Sequence, residues 1–142
     1  MILDTHAHYD DEAFDADREE LLESLQPNGI EKVVNVCASI DGLQNTVALM
    51  EKYPFVYGAV GVHPDDADKM TQETLDEIRR LSHLDKMVAI GEIGLDYYWH
   101  KEKEEHEIQQ KMFHQRQGSL VPAFSTFHWM LHCPRGMYMR VT

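Results

Sequence analysis

The chain has 142 residues, 43% hydrophobic and 27% charged, with 25 acidic side chains against 13 basic ones and a formal charge of −12. That length and mix suit one globular domain, and the acidity excludes a module that coats nucleic acid through backbone contacts alone. It leaves room for a nuclease that grips one phosphodiester through bound cations.

No stretch approaches the roughly 18 consecutive apolar residues of a membrane span, and the opening Met-Ile-Leu-Asp lacks the parts of a secretory signal. Cys37 and Cys133 are too few for a disulfide framework. A cytoplasmic protein with two free thiols, no membrane partner and no dedicated protein partner is expected.

In chain order, Met1 to Leu3 begins a strand that runs into Asp4-Thr5-His6-Ala7-His8. Successive strand side chains alternate in direction, so His6 and His8 share a face about 6.6 Å apart. That spacing suits two ligands on one metal, or equally a pair of solvated histidines. From Ala16 to Gln26 a helix places Leu21, Leu22 and Leu25 on one face, and Pro27-Asn28-Gly29 ends it.

A second strand spans Glu31 to Cys37. A helix follows from Leu43 to Lys52, with Leu43, Val47 and Met50 in register and Asp41 as its N-cap. The third strand, Phe55 to Val62, leads into His63-Pro64-Asp65-Asp66. A helix from Thr71 to Leu84 is capped by Thr71 and lined by Leu75, Ile78 and Leu81. The fourth strand, Met87 to Ile93, contains Glu92, and a polar helix runs from Lys101 to about Gln115 with Ile108 and Met112 four apart.

This rhythm of strand and helix reads as successive right-handed βαβ units forming a parallel sheet. Three polar groups then fall at strand ends that point the same way: His6 with His8, His63, and Glu92. The carboxyl ends of parallel strands are where ligands gather.

Glu92 interrupts an apolar strand, and a buried unpaired charge costs several kcal/mol, so it needs a cation, a basic partner or a dense hydrogen-bond shell. His63 can reach the same mouth or be held by its own loop. Asp96 can support the site or cap a turn. Tyr97, Tyr98 and Trp99 either pack over a helix or offer a surface for stacking a base or sugar.

Asp4-Thr5-His6-Ala7-His8-Tyr9-Asp10, Gly61-Val62-His63-Pro64 and Ala89-Ile90-Gly91-Glu92-Ile93-Gly94-Leu95-Asp96-Tyr97-Tyr98 together resemble the TatD family of metal-dependent deoxyribonucleases, continuously from residue 1 to about 115. The resemblance implies an α/β chain forming about the first four to five β/α units of a (β/α)8 TIM barrel of the metal-dependent hydrolase type. It implies a hydrolase of phosphodiester bonds in DNA, exonuclease-like, using divalent cations. Two per complete site are implied, Mg2+ first and Zn2+ or Mn2+ as alternatives.

Carried over by residue, His6 and His8 match metal ligands. Glu92 matches a carboxylate that bridges two cations and helps hold the attacking hydroxide. His63 and Asp96 match positions that support the site or touch substrate.

The chain also departs from that pattern. A complete barrel takes about 250 residues, and the later strands that bring another histidine and an aspartate have no match here. Residues 1–115 are read as the N-terminal half of the barrel, and 116–142 as a divergent tail, frame-shifted or poorly ordered. Within it, His128 is the candidate for a fifth-strand metal ligand, and His132 in Leu131-His132-Cys133-Pro134-Arg135 is an alternative. Weak or no turnover by the 142-residue product is expected. Two other readings stay open: a non-catalytic fragment with a residual metal site, and a related hydrolase of amides or lactones.

Overall fold

The structure, a computed structural model, describes residues 2–37, 39–99, 101–120 and 128–132, with residues 116–120 and 128–132 described by their backbone. Five strands alternate with four helices: β1 Ile2–Ala7, α1 Arg18–Leu25, β2 Ile30–Val36, α2 Gly42–Lys52, β3 Val56–Val60, α3 Gln72–Leu81, β4 Met87–Gly94, α4 Lys103–Leu120 and β5 His128–His132. The strands pair in sequence order, β1-β2-β3-β4-β5, and every pairing is parallel. This is the α/β half-barrel expected from the alternation of strand and helix patterns.

Local chemistry explains most boundaries. Gly29 ends the turn after α1 with φ of 87°, a left-handed conformation open to glycine at little cost. Thr71 caps α3 through a reciprocal box with Thr74. Asp41 stands at the N-cap of α2 but makes no capping bond. The Ser39 hydroxyl instead accepts the Gly42 N–H at 3.0 Å, so the expected cap is corrected by two residues.

Helix α4 continues to Leu120, five residues past the expected end. Two 3-10 segments, Glu12–Phe14 and Pro64–Lys69, were not legible as elements.

The main core lies between the sheet and the helices, with Leu22, Ile78, Leu81, Ile90 and Ile93 almost wholly buried. Burying each such side chain is worth about 1.5–3 kcal/mol. Val36, Ala59 and Ala89 form a separate small cluster, and they are register partners across three adjacent strands. Small side chains along that row let the sheet curl tightly.

Both strands that carry the sharpest polar residues are irregular at those residues. In β1 the register slips between Asp4 and Ala7, and in β4 between Ile90 and Ile93. In each case one extra residue enters the strand, beside His6 and at Gly91-Glu92 respectively. Such bulges re-aim a side chain that strict alternation would fix.

Candidate metal centre

His6, His8 and Glu92 come together at the carboxyl ends of β1 and β4, with their ligand atoms all within 4.8 Å of one another. The convergence is not the simple two-step spacing of a flat strand. β1 ends at Ala7, and His8 lies just beyond it. His8 is held there by its ring, whose Nδ1 contacts the Val36 carbonyl at 2.7 Å.

A carbonyl only accepts, so Nδ1 is the donor and the neutral ring presents a lone pair at Nε2. The Nε2 atoms of His6 and His8 are 3.1 Å apart, with the rings nearly perpendicular. A histidine that donates one ring N–H to a carbonyl and offers the other nitrogen is arranged as metal-binding histidines are. Two imidazole nitrogens and one carboxylate therefore fit a divalent transition ion by donor chemistry.

Glu92 is only 5% exposed. Its seat is set by backbone. The Glu92 N–H donates to the Cys37 carbonyl at 3.0 Å, reaching past β3 to the end of β2. Gly61, just after β3, makes room for this. A Cβ there would lie 2.5 Å from Gly91 C, 2.6 Å from Glu92 O and 2.8 Å from Glu92 N. Any side chain at position 61 would collide with the peptide that carries Glu92.

A buried polar network supports the His8 side. Asn35 in β2 is fully buried. Its Oδ1 accepts the Tyr9 N–H at 2.7 Å, and its Nδ2 donates to Asp10 Oδ1 at 2.8 Å and to Thr46 Oγ1 at 2.9 Å. It thus ties the two residues after His8 to β2 and α2.

Burial holds the Asp10 carboxyl above its ordinary range, against the lowering effects of the Asn35 hydrogen bond and the nearby His8. Cys37 donates to the Ser39 carbonyl, and burial, with Asp10 nearby, pushes its thiol up to about 12. Arg18 clamps the loop between β1 and α1, donating to the Tyr9 and Asp11 carbonyls and to Asp15.

The three-residue cluster opens into a cleft of about 830 Å3 lined by Asp10, Asp11, Glu12, Asp15, Asp41, His63 and others. No lysine or arginine is among its described lining residues. A cation is the natural occupant of such a field.

His63 lines the cleft, and its Nδ1 accepts the Asp65 N–H at 3.2 Å within its own loop. In the neutral ring its proton is then on Nε2. Asp96 is buried and joins neither the cluster nor the lining; its Oδ1 accepts the Tyr98 N–H at 2.7 Å, which is turn-capping. β5 begins with His128 opposite Ala89 and ends with His132 opposite Gly94. The side chains of both lie outside the described residues.

Sequence reasoning missed Asn35 and the role of Gly61. The signal for Asn35 was present: it interrupts Val33-Val34-Asn35-Val36 as Glu92 interrupts β4.

The model of the TatD related DNase family matches residues 3–118. The metal-dependent hydrolase YabD of Bacillus subtilis, whose function is uncharacterised, is 42% identical over 113 residues, covering 80% of this chain and 44% of the relative. The 3'-5' ssDNA/RNA exonuclease TatD of Cronobacter turicensis is 31% identical over 84 residues, 59% of this chain and 32% of the relative. A TatD family hydrolase of Entamoeba histolytica superposes with a TM-score of 0.80 at 24% identity, over 93% of this chain and 49% of that one, which bears on the fold. The chain spans less than half the length of each of these relatives.

Proposed function

The chain belongs to the TatD-related DNase family, and from that premise we propose that His6, His8 and Glu92 hold a divalent cation that serves hydrolysis of phosphodiester bonds in DNA, in the manner of an exonuclease. The observation that carries this reading is the meeting of two imidazole nitrogens and a buried carboxylate within 4.8 Å at the strand mouths.

When bound, the cation supplies Lewis acidity toward a phosphoryl oxygen and acidifies water. The residues supply the rest. His8 is oriented by its bond to the Val36 carbonyl, and His6 faces it. Glu92 would bring the negative charge to the cation and would help hold the attacking water beside it.

His63, on the cleft wall, is assigned to the substrate side. We assign Asp96 to shaping the loop after β4 rather than to the reacting atoms. From β5, backbone register favours His132 over His128 as a further ligand, because His132 stands at the level of Gly94.

Mg2+ prefers an all-oxygen octahedron, whereas two imidazoles suit Zn2+ and other transition ions, with Mn2+ at the weak end of that series. The donor set thus favours the latter ions over Mg2+. A second reading, cation binding without turnover, rests on the donor count: among the described residues the cluster brings three.

Release of nucleotides from an end-labelled single-stranded DNA, with Mn2+ and with EDTA, separates the two. Metal-dependent release that is lost in His6→Ala supports hydrolysis. Tight cation binding without release supports the second reading. The absence of both overturns the proposal.

A further inference from the structure

Three aromatic residues follow β4 in succession, and the structure uses them differently. Tyr97 packs inward: its ring stacks on His106 of α4 at 3.8 Å between centroids, and its hydroxyl accepts from Gln110 Nε2 at 2.8 Å. Tyr98 and Trp99 turn outward and are 57% and 72% exposed. They are the aromatic members of the exposed large apolar side chains among the described residues. Their rings meet edge to face at 4.6 Å, and the Lys101 ammonium lies 5.0 Å from the Tyr98 ring centroid.

The mount beneath them is firm. Asp96 is bracketed by Gln109 of α4, whose Oε1 accepts the Asp96 N–H at 2.8 Å and whose Nε2 donates to the Asp96 carbonyl at 3.1 Å. The Asp96 carboxylate then holds the Tyr98 N–H. Three buried or half-buried hydrogen bonds thus fix a loop whose tip carries two solvent-facing aromatic rings. The loop leaves β4 at the same end of the sheet as Glu92.

Apolar packing does not account for a Trp that is nearly three-quarters exposed, next to a backbone pinned at Asp96 and Tyr98. Flat aromatic faces beside a cation are what unpaired nucleobases and their phosphates bind, independently of sequence. We infer that Tyr98 and Trp99, with Lys101, form a base-stacking platform for single-stranded nucleic acid at the end of the sheet that carries the metal centre. This inference deepens the proposed function and rests on it for the substrate. A duplex hides its base faces, so the platform also selects unpaired strands.

The test is fluorescence anisotropy of a labelled ten-nucleotide oligo(dT), at low ionic strength with Ca2+, against an abasic oligomer of the same length. The expected result is that wild type prefers oligo(dT) to the abasic strand. Trp99→Ala weakens oligo(dT) binding by about 5- to 140-fold, the range found when one stacking residue is removed. Trp99→Phe, which keeps a ring, restores most of the loss, and Lys101→Ala weakens both strands alike.

Each variant is checked by circular dichroism and by calorimetric cation titration, and unchanged cation affinity is expected because these residues stand outside the cluster. The platform is overturned if wild type binds neither strand, if it binds both equally, or if Trp99→Ala binds oligo(dT) as wild type does. It is also overturned if sedimentation shows wild type self-associating through this patch and Trp99→Ala monomeric, since the occupant is then a second copy. Loss of the hydrolase reading shows separately, as failure of wild type to bind cations or release nucleotides.

Discussion

Gly61→Ala is the substitution from which the structure derives the largest effect for the smallest chemical change. The added Cβ would stand 2.5 Å from Gly91 C and 2.8 Å from Glu92 N, whereas ordinary contacts begin near 3.4 Å. The obstacle is backbone, so the Glu92 peptide must withdraw by about 1 Å.

That movement strains or breaks the 3.0 Å bond from the Glu92 N–H to the Cys37 carbonyl. An unmade buried hydrogen bond costs about 1–3 kcal/mol, and overpacking costs about 1–3 kcal/mol more. A net loss of about 2–6 kcal/mol in urea unfolding is expected. Cation affinity should fall about tenfold or more, because ligand positions must hold to roughly 0.5 Å.

Gly58→Ala is the control. Its Cβ meets the Met50 and Met87 sulfurs, the far ends of flexible side chains, so about 1–2 kcal/mol and unchanged cation affinity are expected. If Gly61→Ala unfolds within 0.5 kcal/mol of wild type, a margin typical of neutral surface substitutions, and binds cation normally, the account of how Glu92 is seated is refuted.

The Asn35–Asp10 pair is tested by exchange. Asn35→Asp sets two carboxyls against each other in a buried site and should cost about 3–5 kcal/mol, while adding Asp10→Asn restores a donor facing an acceptor. A double-mutant cycle should return at least about 1 kcal/mol of coupling, and no coupling would show that the 2.8 Å contact carries no energy. Cys37, with its thiol pushed up to about 12, should resist iodoacetamide at pH 8.5 by about a thousandfold or more relative to the urea-unfolded chain, read by mass spectrometry of its own peptide. Alkylation within tenfold of the unfolded rate would contradict its burial. On β5, His132→Ala should weaken cation binding and His128→Ala should leave it unchanged, and the reverse order would overturn the argument from register.

Much of this organisation was legible because it is local. The apolar runs of β2 and β4, the Thr71 cap and the Gly29 turn are each decided within a few residues. The candidate ligands were legible because a charge in an apolar strand is expensive.

What sequence could not give was convergence. Alternation alone predicts a fixed spacing for His6 and His8, whereas a register slip and a bond to Val36, 28 residues away, set their actual geometry. Asn35 escaped notice because its partners lie 25 and 11 residues away, although its place in an apolar strand was the same signal as that of Glu92. Gly61 reads as an ordinary loop glycine until β4 is laid against it.

The central claim is that His6, His8 and Glu92 form one cation site, and calorimetric titration of Mn2+ and Zn2+ into wild type, His8→Ala and Glu92→Gln tests it most directly. Saturable binding at micromolar or tighter affinity is expected in wild type, with weaker binding of Mg2+ and a loss of about tenfold or more in each variant, since even the groups that orient ligands are worth that much. Wild type that takes up no cation, or variants that bind as wild type does, would contradict it.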